Sequence, residues 1–278
     1  MSESYPIIDA HCHVFPDVIA EKSKDAVAEF YDLPMYTSGT AAHLKKEREK
    51  AISVDGTDYR ITRQLICAPA VTSKQTESIN RFIAALVQAD PALVGFGTMH
   101  PGNADFAEIL SRFRAEGLSG LKLHSDFQQF DIDDPAMYPV YEAAADLGLP
   151  VLFHMGDKKL DHSHPRRLQK VLQDIPHLTA IAAHMGGYQH WSKALELLQP
   201  SERLYFDLSS TLQFVDGVLV RAFLARFGEG QFFFGSDFPM WAPEKELARL
   251  LEFGLQEDTL RKVLHDNFMR FIENHERA

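Results

Sequence analysis

Two histidines one residue apart close a short apolar run near the start of the chain, Ile7-Ile8-Asp9-Ala10-His11-Cys12-His13. In a β-strand, residues two apart point to the same side, so His11 and His13 present both imidazoles to one place and Cys12 turns away. Neutral imidazoles at that spacing are a common start of a zinc or other transition-metal site. Two ligands do not hold an ion, so the rest of the chain must supply more. Residues that can bind metal or move protons recur at the ends of later apolar runs: His100, Lys122 with His124, His154, His184, and Asp237 within Gly235-Ser236-Asp237-Phe238-Pro239. A lone histidine is more often a hydrogen-bonded structural residue than a ligand. The joint pattern is harder to dismiss, because each residue would have to reach the same kind of place independently.

The elements that must position these residues follow from period and punctuation. Short runs rich in Val, Ile, Leu and Phe occupy residues 7–11, 64–68, 93–98, 120–124, 151–154, 179–184, 204–208 and 232–235. Amphipathic stretches lie between them at 78–88, 105–115, 136–146, 167–174, 191–198, 215–226 and 244–252, with 258–264 and 267–274 as a C-terminal cap. Strands alternating with helices predict a parallel sheet. A chain of 278 residues suits a closed (β/α)8 barrel of about 250 residues. An open doubly wound sheet is the alternative, weakened by the lack of GxGxxG at the first strand–helix turn.

In such a barrel, functional groups sit at the C-terminal strand ends. Lys122 and His124 alternate inward while Leu121 and Leu123 face out. Asp9 is read in the inward phase of His11, one step deeper, either orienting a ligand or serving as a buried carboxylate. The whole chain, residues 1–278, is read as one domain. Residues 15–60 break its rhythm, with a turn-like Leu33-Pro34-Met35-Tyr36 and a charged helical run at 42–51. An insertion that long is either a lid or binding loop, or an interface.

Composition narrows the partners. The chain is 45% hydrophobic with a formal charge of −11, which argues against nucleic acid and against a polybasic membrane anchor. No leader pattern and no run of about 20 apolar residues is present. The two cysteines, Cys12 and Cys67, make no disulfide framework; they fit a reducing cytoplasm as small buried hydrophobes.

The ordered set of motifs resembles the amidohydrolase superfamily, and within it the amidohydrolase-related group called family 2. The matching pieces are Asp9-Ala10-His11-Cys12-His13, Gly120-Leu121-Lys122-Leu123-His124, His154-Met155-Gly156, Ala183-His184-Met185-Gly186-Gly187, Gly235-Ser236-Asp237-Phe238-Pro239 and the terminal Asp266-Asn267-Phe268. The resemblance implies a distorted barrel with a divalent metal, usually zinc, in its mouth. It places His11, His13, His154 and Asp237 as ligands and His184 as an acid–base or substrate-orienting group. It also implies a homodimer as a common assembly. Some superfamily members carboxylate a lysine placed like Lys122, which then bridges two metals that His154 and His184 could share. The reading taken is one ion, Zn2+ before Mn2+, with Lys122 as a positive group facing substrate.

Such a site activates water or polarises a carbonyl. Asp237 is the candidate proton acceptor and His184 the candidate to hold an oxyanion or protonate a leaving group. His100 and His124 are candidate substrate contacts, and each could equally be a structural hydrogen-bonder. The loop 156–167 gathers Lys158, Lys159, Arg166 and Arg167 and could meet an anionic small molecule, although charge runs are usually solvated. Gln128, Gln129, Phe130 and Trp241 are candidates for the pocket wall. The expected activity is hydrolysis of an amide, ester or lactone. The alternatives are non-oxidative decarboxylation of an aromatic or unsaturated acid, and a non-catalytic metal-binding protein.

Overall fold

A computed structural model describes residues 4–276. The first apolar run forms β1 (Tyr5–His13), and the insertion that follows carries α1 (Asp17–Tyr31) and α2 (Ala41–Glu49). Its end differs from the sequence expectation. A hairpin strand β2 (Ile52–Val54) pairs antiparallel with the start of β3 (Thr57–Cys67), so β3 begins well before residue 64. The chain then alternates through α3 (Thr76–Ala89), β4 (Leu93–Thr98), α4 (Phe106–Arg112), β5 (Leu118–Leu123), α5 (Ser125–Gln128), α6 (Tyr138–Asp146), β6 (Val151–Phe153), α7 (Pro165–Asp174), β7 (Ala180–Ala182), α8 (Trp191–Leu197), β8 (Leu204–Asp207), α9 (Gly217–Phe227) and β9 (Phe232–Phe233). Helices α10 (Pro243–Glu252), α11 (Glu257–Arg261) and α12 (Asn267–Glu276) complete it, a π-helical turn at Lys262–Asp266 joining the last two.

The strands pair in parallel in the order β1-β3-β4-β5-β6-β7-β8-β9. The residues after β9 close the ring. Ala10 N–H donates to Phe234 O at 2.9 Å, Asp237 N–H donates to His11 O at 2.9 Å, and Cys12 bridges Phe238. The result is a distorted (β/α)8 barrel, not an open sheet. Closure brings the segment bearing Asp237 against β1; a Cβ on Gly235 would stand 3.0 Å from that of His11.

Two apolar layers sort by strand parity. Ile8, Ala10, Leu65, Phe96, Leu152, Ile181 and Phe233 fill the barrel interior, and α12 adds Phe268, Phe271 and Ile272 as a plug. Ile7, Ile66, Leu121, Leu123, Phe153 and Phe206 face the helices. Gly120 leaves room for the Phe96 ring, which a Cβ there would meet at 2.5 Å. On β1 the alternation is broken. Pairing with β3 jumps from Asp9↔Gln64 to Cys12↔Ile66, so β1 carries one extra residue. Such a bulge re-aims side chains. Ala10 belongs to the interior layer and Cys12 to the outer one, a change of phase that brings His11 and His13 to the mouth. Among the described residues no helix is long and apolar enough to cross a membrane.

Candidate active site

The mouth of the barrel holds two sets of polar side chains. The first is built on β1 and the closing segment. His11 Nε2 and His13 Nε2 stand 3.2 Å apart, and Asp237 Oδ1 lies 3.7 Å from the first and 3.4 Å from the second. Ligand atoms bound at about 2.0–2.2 Å to one tetrahedral ion stand about 3.3–3.5 Å apart, so this triangle has the dimensions and the N, N, O donors for a divalent metal. Each imidazole is held from behind, as ligating histidines usually are. His11 Nδ1–H donates to Asp207 Oδ2 at 2.9 Å, which leaves Nε2 bare. His13 Nδ1 faces Cys67 Sγ at 3.8 Å. Ser210 Oγ donates to Asp237 Oδ2 at 2.5 Å. Asp237, His184 and Ser210 all adopt positive φ, at 58°, 56° and 46°. Left-handed backbone at non-glycine residues concentrates where side chains must be aimed.

Electrostatics fits the same picture. Burial and the neighbouring Lys122 amine push His11 down to about 4. Burial works against the charge on Asp207, yet the His11 ring beside it prevails and holds that carboxyl to about 2. His13 is opposed by burial, but Cys67 and Asp237 carry it up to about 9. Lys122 is fully buried, and burial lowers its pKa. Its Nζ donates to His11 Nε2 at 3.1 Å, the same bare nitrogen that would carry a metal.

The second set is built on the loops after β5 and β6 and on the insertion. Tyr31, the last residue of α1, places its hydroxyl 3.0 Å from His124 Nε2 and 3.2 Å from His154 Nε2. The two imidazoles stack at 3.8 Å, and Phe127 stacks on the other face of His124 at 3.8 Å. Asp126 is buried with His154; Ser163 donates to its Oδ2 while Oδ1 has no hydrogen-bond partner. Burial raises the Asp126 pKa to about 6. His184 joins the sets. Its Nδ1–H donates to Ser209 O at 3.0 Å, and its Nε2 lies 2.9 Å from His154 Nδ1.

Between the sets and the insertion lies a cavity of about 410 Å3. Phe15, Ile19, Val27 and Phe30 form its outer wall, and Ile79, Phe82 and Phe127 the barrel side. The insertion is tied to the loop after Asp237: the N–H groups of Tyr36 and Thr37 donate to Pro239 O at 3.0 and 3.3 Å.

The structure brings His11, His13 and Asp237 together, with Lys122 beside them. It places His154 one residue away, reaching them through His184. His124 lines the cavity. His100 does not: its Nδ1 accepts from Gly102 N–H at 3.0 Å, and the residue caps its own turn. Asp9 takes the second of its two readings, a buried hydrogen-bonded carboxylate. The bulge turns its carboxylate sideways to accept from Ser236 N–H at 2.8 Å and Ser236 Oγ at 2.5 Å, bracing the closing segment. Of the wall candidates, Gln129 lines the cavity, whereas Gln128 is spent on Ala70 O and Met99 O, Phe130 joins the core, and Trp241 donates to Ser210 Oγ. Cys67 is buried but touches a site histidine, so it is more than a hydrophobe. The cations of loop 156–167 stay outside. Arg166 and Arg167 pair with Asp131, Asp133 and Asp161, and Lys158 and Lys159 are exposed.

Sequence reasoning missed Tyr31, Asp126 and Asp207. Asp207 carried a signal, a carboxylate ending the apolar run of β8. Tyr31 carried none, because nothing local says where an insertion docks.

Solved structures of like fold cover almost the whole chain. An uncharacterized TIM-barrel protein from Bordetella bronchiseptica is 18% identical over 98% of this chain and 100% of that one, with a TM-score of 0.76. A putative 2-pyrone-4,6-dicarboxylic acid hydrolase from Pseudomonas putida is 16% identical over 98% of each, with a TM-score of 0.69. A 5-carboxyvanillate decarboxylase from Novosphingobium aromaticivorans, solved with manganese and 4-hydroxy-3-methoxy-5-nitrobenzoic acid, is 16% identical over 98% and 96%, with a TM-score of 0.65. Decarboxylases predominate among these structures. At such identities the likeness is one of fold. The family model described as amidohydrolase matches residues 8–272, from β1 through the closing helix; with a buried histidine–aspartate set at the barrel mouth, this chain belongs to the amidohydrolase family and is a metal-dependent enzyme.

Proposed function

We propose that the enzyme removes carbon dioxide, without oxidation, from a small aromatic or unsaturated carboxylic acid. The observation that carries this reading is the cavity: an apolar, aromatic-walled space of about 410 Å3 opening directly on the donor triangle. Such a space accepts a flat ring and turns its acid group to the polar floor. His11, His13 and Asp237 would hold one divalent ion, zinc or manganese, with His154 one residue further off behind His184. When bound, the ion supplies positive charge that fixes and polarises oxygens of the substrate acid.

The protein's own groups do the rest. The walls hold the ring and exclude water. The bond between ring carbon and carboxylate carbon breaks, its electron pair stays on the ring carbon, and carbon dioxide leaves. A proton then reaches that carbon from the side on which His184 and Asp237 stand. Asp207 fixes the orientation of His11, and Tyr31 carries the wall of the insertion onto the floor. In this reading the insertion is a lid over the site.

Hydrolysis of an ester or lactone is the second reading, supported by the like fold of a putative 2-pyrone-4,6-dicarboxylic acid hydrolase from Pseudomonas putida. Incubating the metal-loaded enzyme with 2,6-dihydroxybenzoate and related ring acids in deuterated water, and with the matching ring esters and lactones in heavy-oxygen water, separates the two. Decarboxylation gives carbon dioxide and one deuterium on the ring; solvent oxygen in a product acid, without carbon dioxide, would replace it with hydrolysis.

A further inference from the structure

We propose that the cavity selects a ring-sized apolar acid bearing a single carboxylate and rejects the same ring bearing a second. This rests on the reading of the site as one that takes a carboxylic acid, and it adds which acids. The basis is the charge of the lining. No lysine or arginine lines the cavity among the described residues. The cations that could have served are engaged elsewhere. Lys122 is buried outside the lining and hydrogen-bonded to His11. Arg166 and Arg167 are paired with aspartates on the far side of the loop after β6.

The ionisable groups that do line the space are imidazoles, one phenol and the carboxylates of Asp126 and Asp237. The buried Asp126 Oδ1 has no hydrogen-bond partner. A first substrate carboxylate can be met at the donor triangle. A second one, away from the triangle, enters a largely apolar space with no lysine or arginine to meet it and with the Asp126 carboxylate beside it, which is costly. The polar neutral side chains Ser23, Gln75 and Gln129 in the same lining can hydrogen-bond a hydroxyl or carbonyl on the ring, so neutral substituents are tolerated where a charged one is not.

The test compares benzoate with isophthalate, the same ring with a second carboxylate, by calorimetric titration into the full-length metal-loaded protein at fixed ionic strength. Benzoate binds tighter by about tenfold or more. Two variants supply the missing cation from opposite walls, Val27→Arg on α1 and Ile79→Arg on α3. Either one, with metal content unchanged, narrows or reverses the ratio. Equal or tighter binding of isophthalate to the unaltered protein overturns the proposal. Binding is read without turnover, so the two readings fail separately. A ring monoacid that binds selectively yet is hydrolysed as its ester, with no carbon dioxide released, removes the decarboxylase reading and leaves this one. Faster carbon dioxide release from a diacid than from its matched monoacid does the reverse.

Discussion

The floor of the site and its wall are built on different principles. On the floor, His11, His13 and Asp237 project from β1 and the segment that closes the barrel, and their far sides are held by Asp207, Cys67 and Ser210. The wall is one helix of an insertion, with Ala20 its only buried residue, fastened at its end by the Tyr31 hydroxyl and beyond it by two backbone bonds to Pro239. Strand-borne groups are placed by a sheet that must pair everywhere to exist. A helix laid across a mouth is placed by a few contacts. Chemistry is thus assigned to the rigid part and choice of substrate to the part that can be exchanged.

Substitutions on the two sides should separate these roles. The largest effect belongs to the floor. His11→Ala with His13→Ala should lose the metal and all measurable turnover, read by elemental analysis beside a circular dichroism spectrum that keeps its native shape. Full turnover by the metal-free double variant would break the assignment of the chemistry to the floor. Next in size is Asp207→Asn, which removes the carboxylate behind His11 but leaves an amide of the same shape. Loss of about 10- to 100-fold in metal affinity or activity is expected, measured by competition with a chelator; unchanged affinity would mean His11 is oriented by the strand alone.

The wall should respond more mildly. Tyr31→Phe removes one hydroxyl and its bonds to two imidazoles, about 1 kcal/mol each. It should lower kcat/KM by up to about 30-fold, the equivalent of about 2 kcal/mol, while metal content stays at the wild-type value. If metal is lost with the hydroxyl, wall and floor are one unit. Smallest of all is Arg166→Ala. Its partner is the exposed Asp161, and exposed pairs contribute about 1 kcal/mol or less. Kinetics indistinguishable from the parent are expected; a rise in KM for an anionic substrate would bring the loop after β6 into the site.

This contrast also explains what could be read from the chain. Every floor residue lies at the end of an apolar run, where period and position together say which way a side chain points; hence His11, His13, Asp237 and Lys122. The eight barrel strands were legible for the same reason. The choice between the two readings of Asp9 stayed open because a bulge is a matter of pairing between β1 and β3, and single-strand parity cannot register it. His100 could be read both ways because a histidine at a strand end can as well cap the turn that follows, as it does. Tyr31 lay beyond reach because the contact joins positions 31, 124 and 154 through the docking of an insertion, which leaves no periodic trace.

The aromatic plug of α12 has a bearing on traffic. Phe268, Phe271 and Ile272 fill the end of the barrel opposite the mouth, so traffic through that end is closed. Whatever the site converts enters and leaves by the passage that α1 overhangs, and one product must clear it before the next substrate can arrive. The pace of the cycle is therefore open to control by exit as much as by bond breaking, and shortening α1 would act on the clock of the enzyme even where it leaves the chemistry alone.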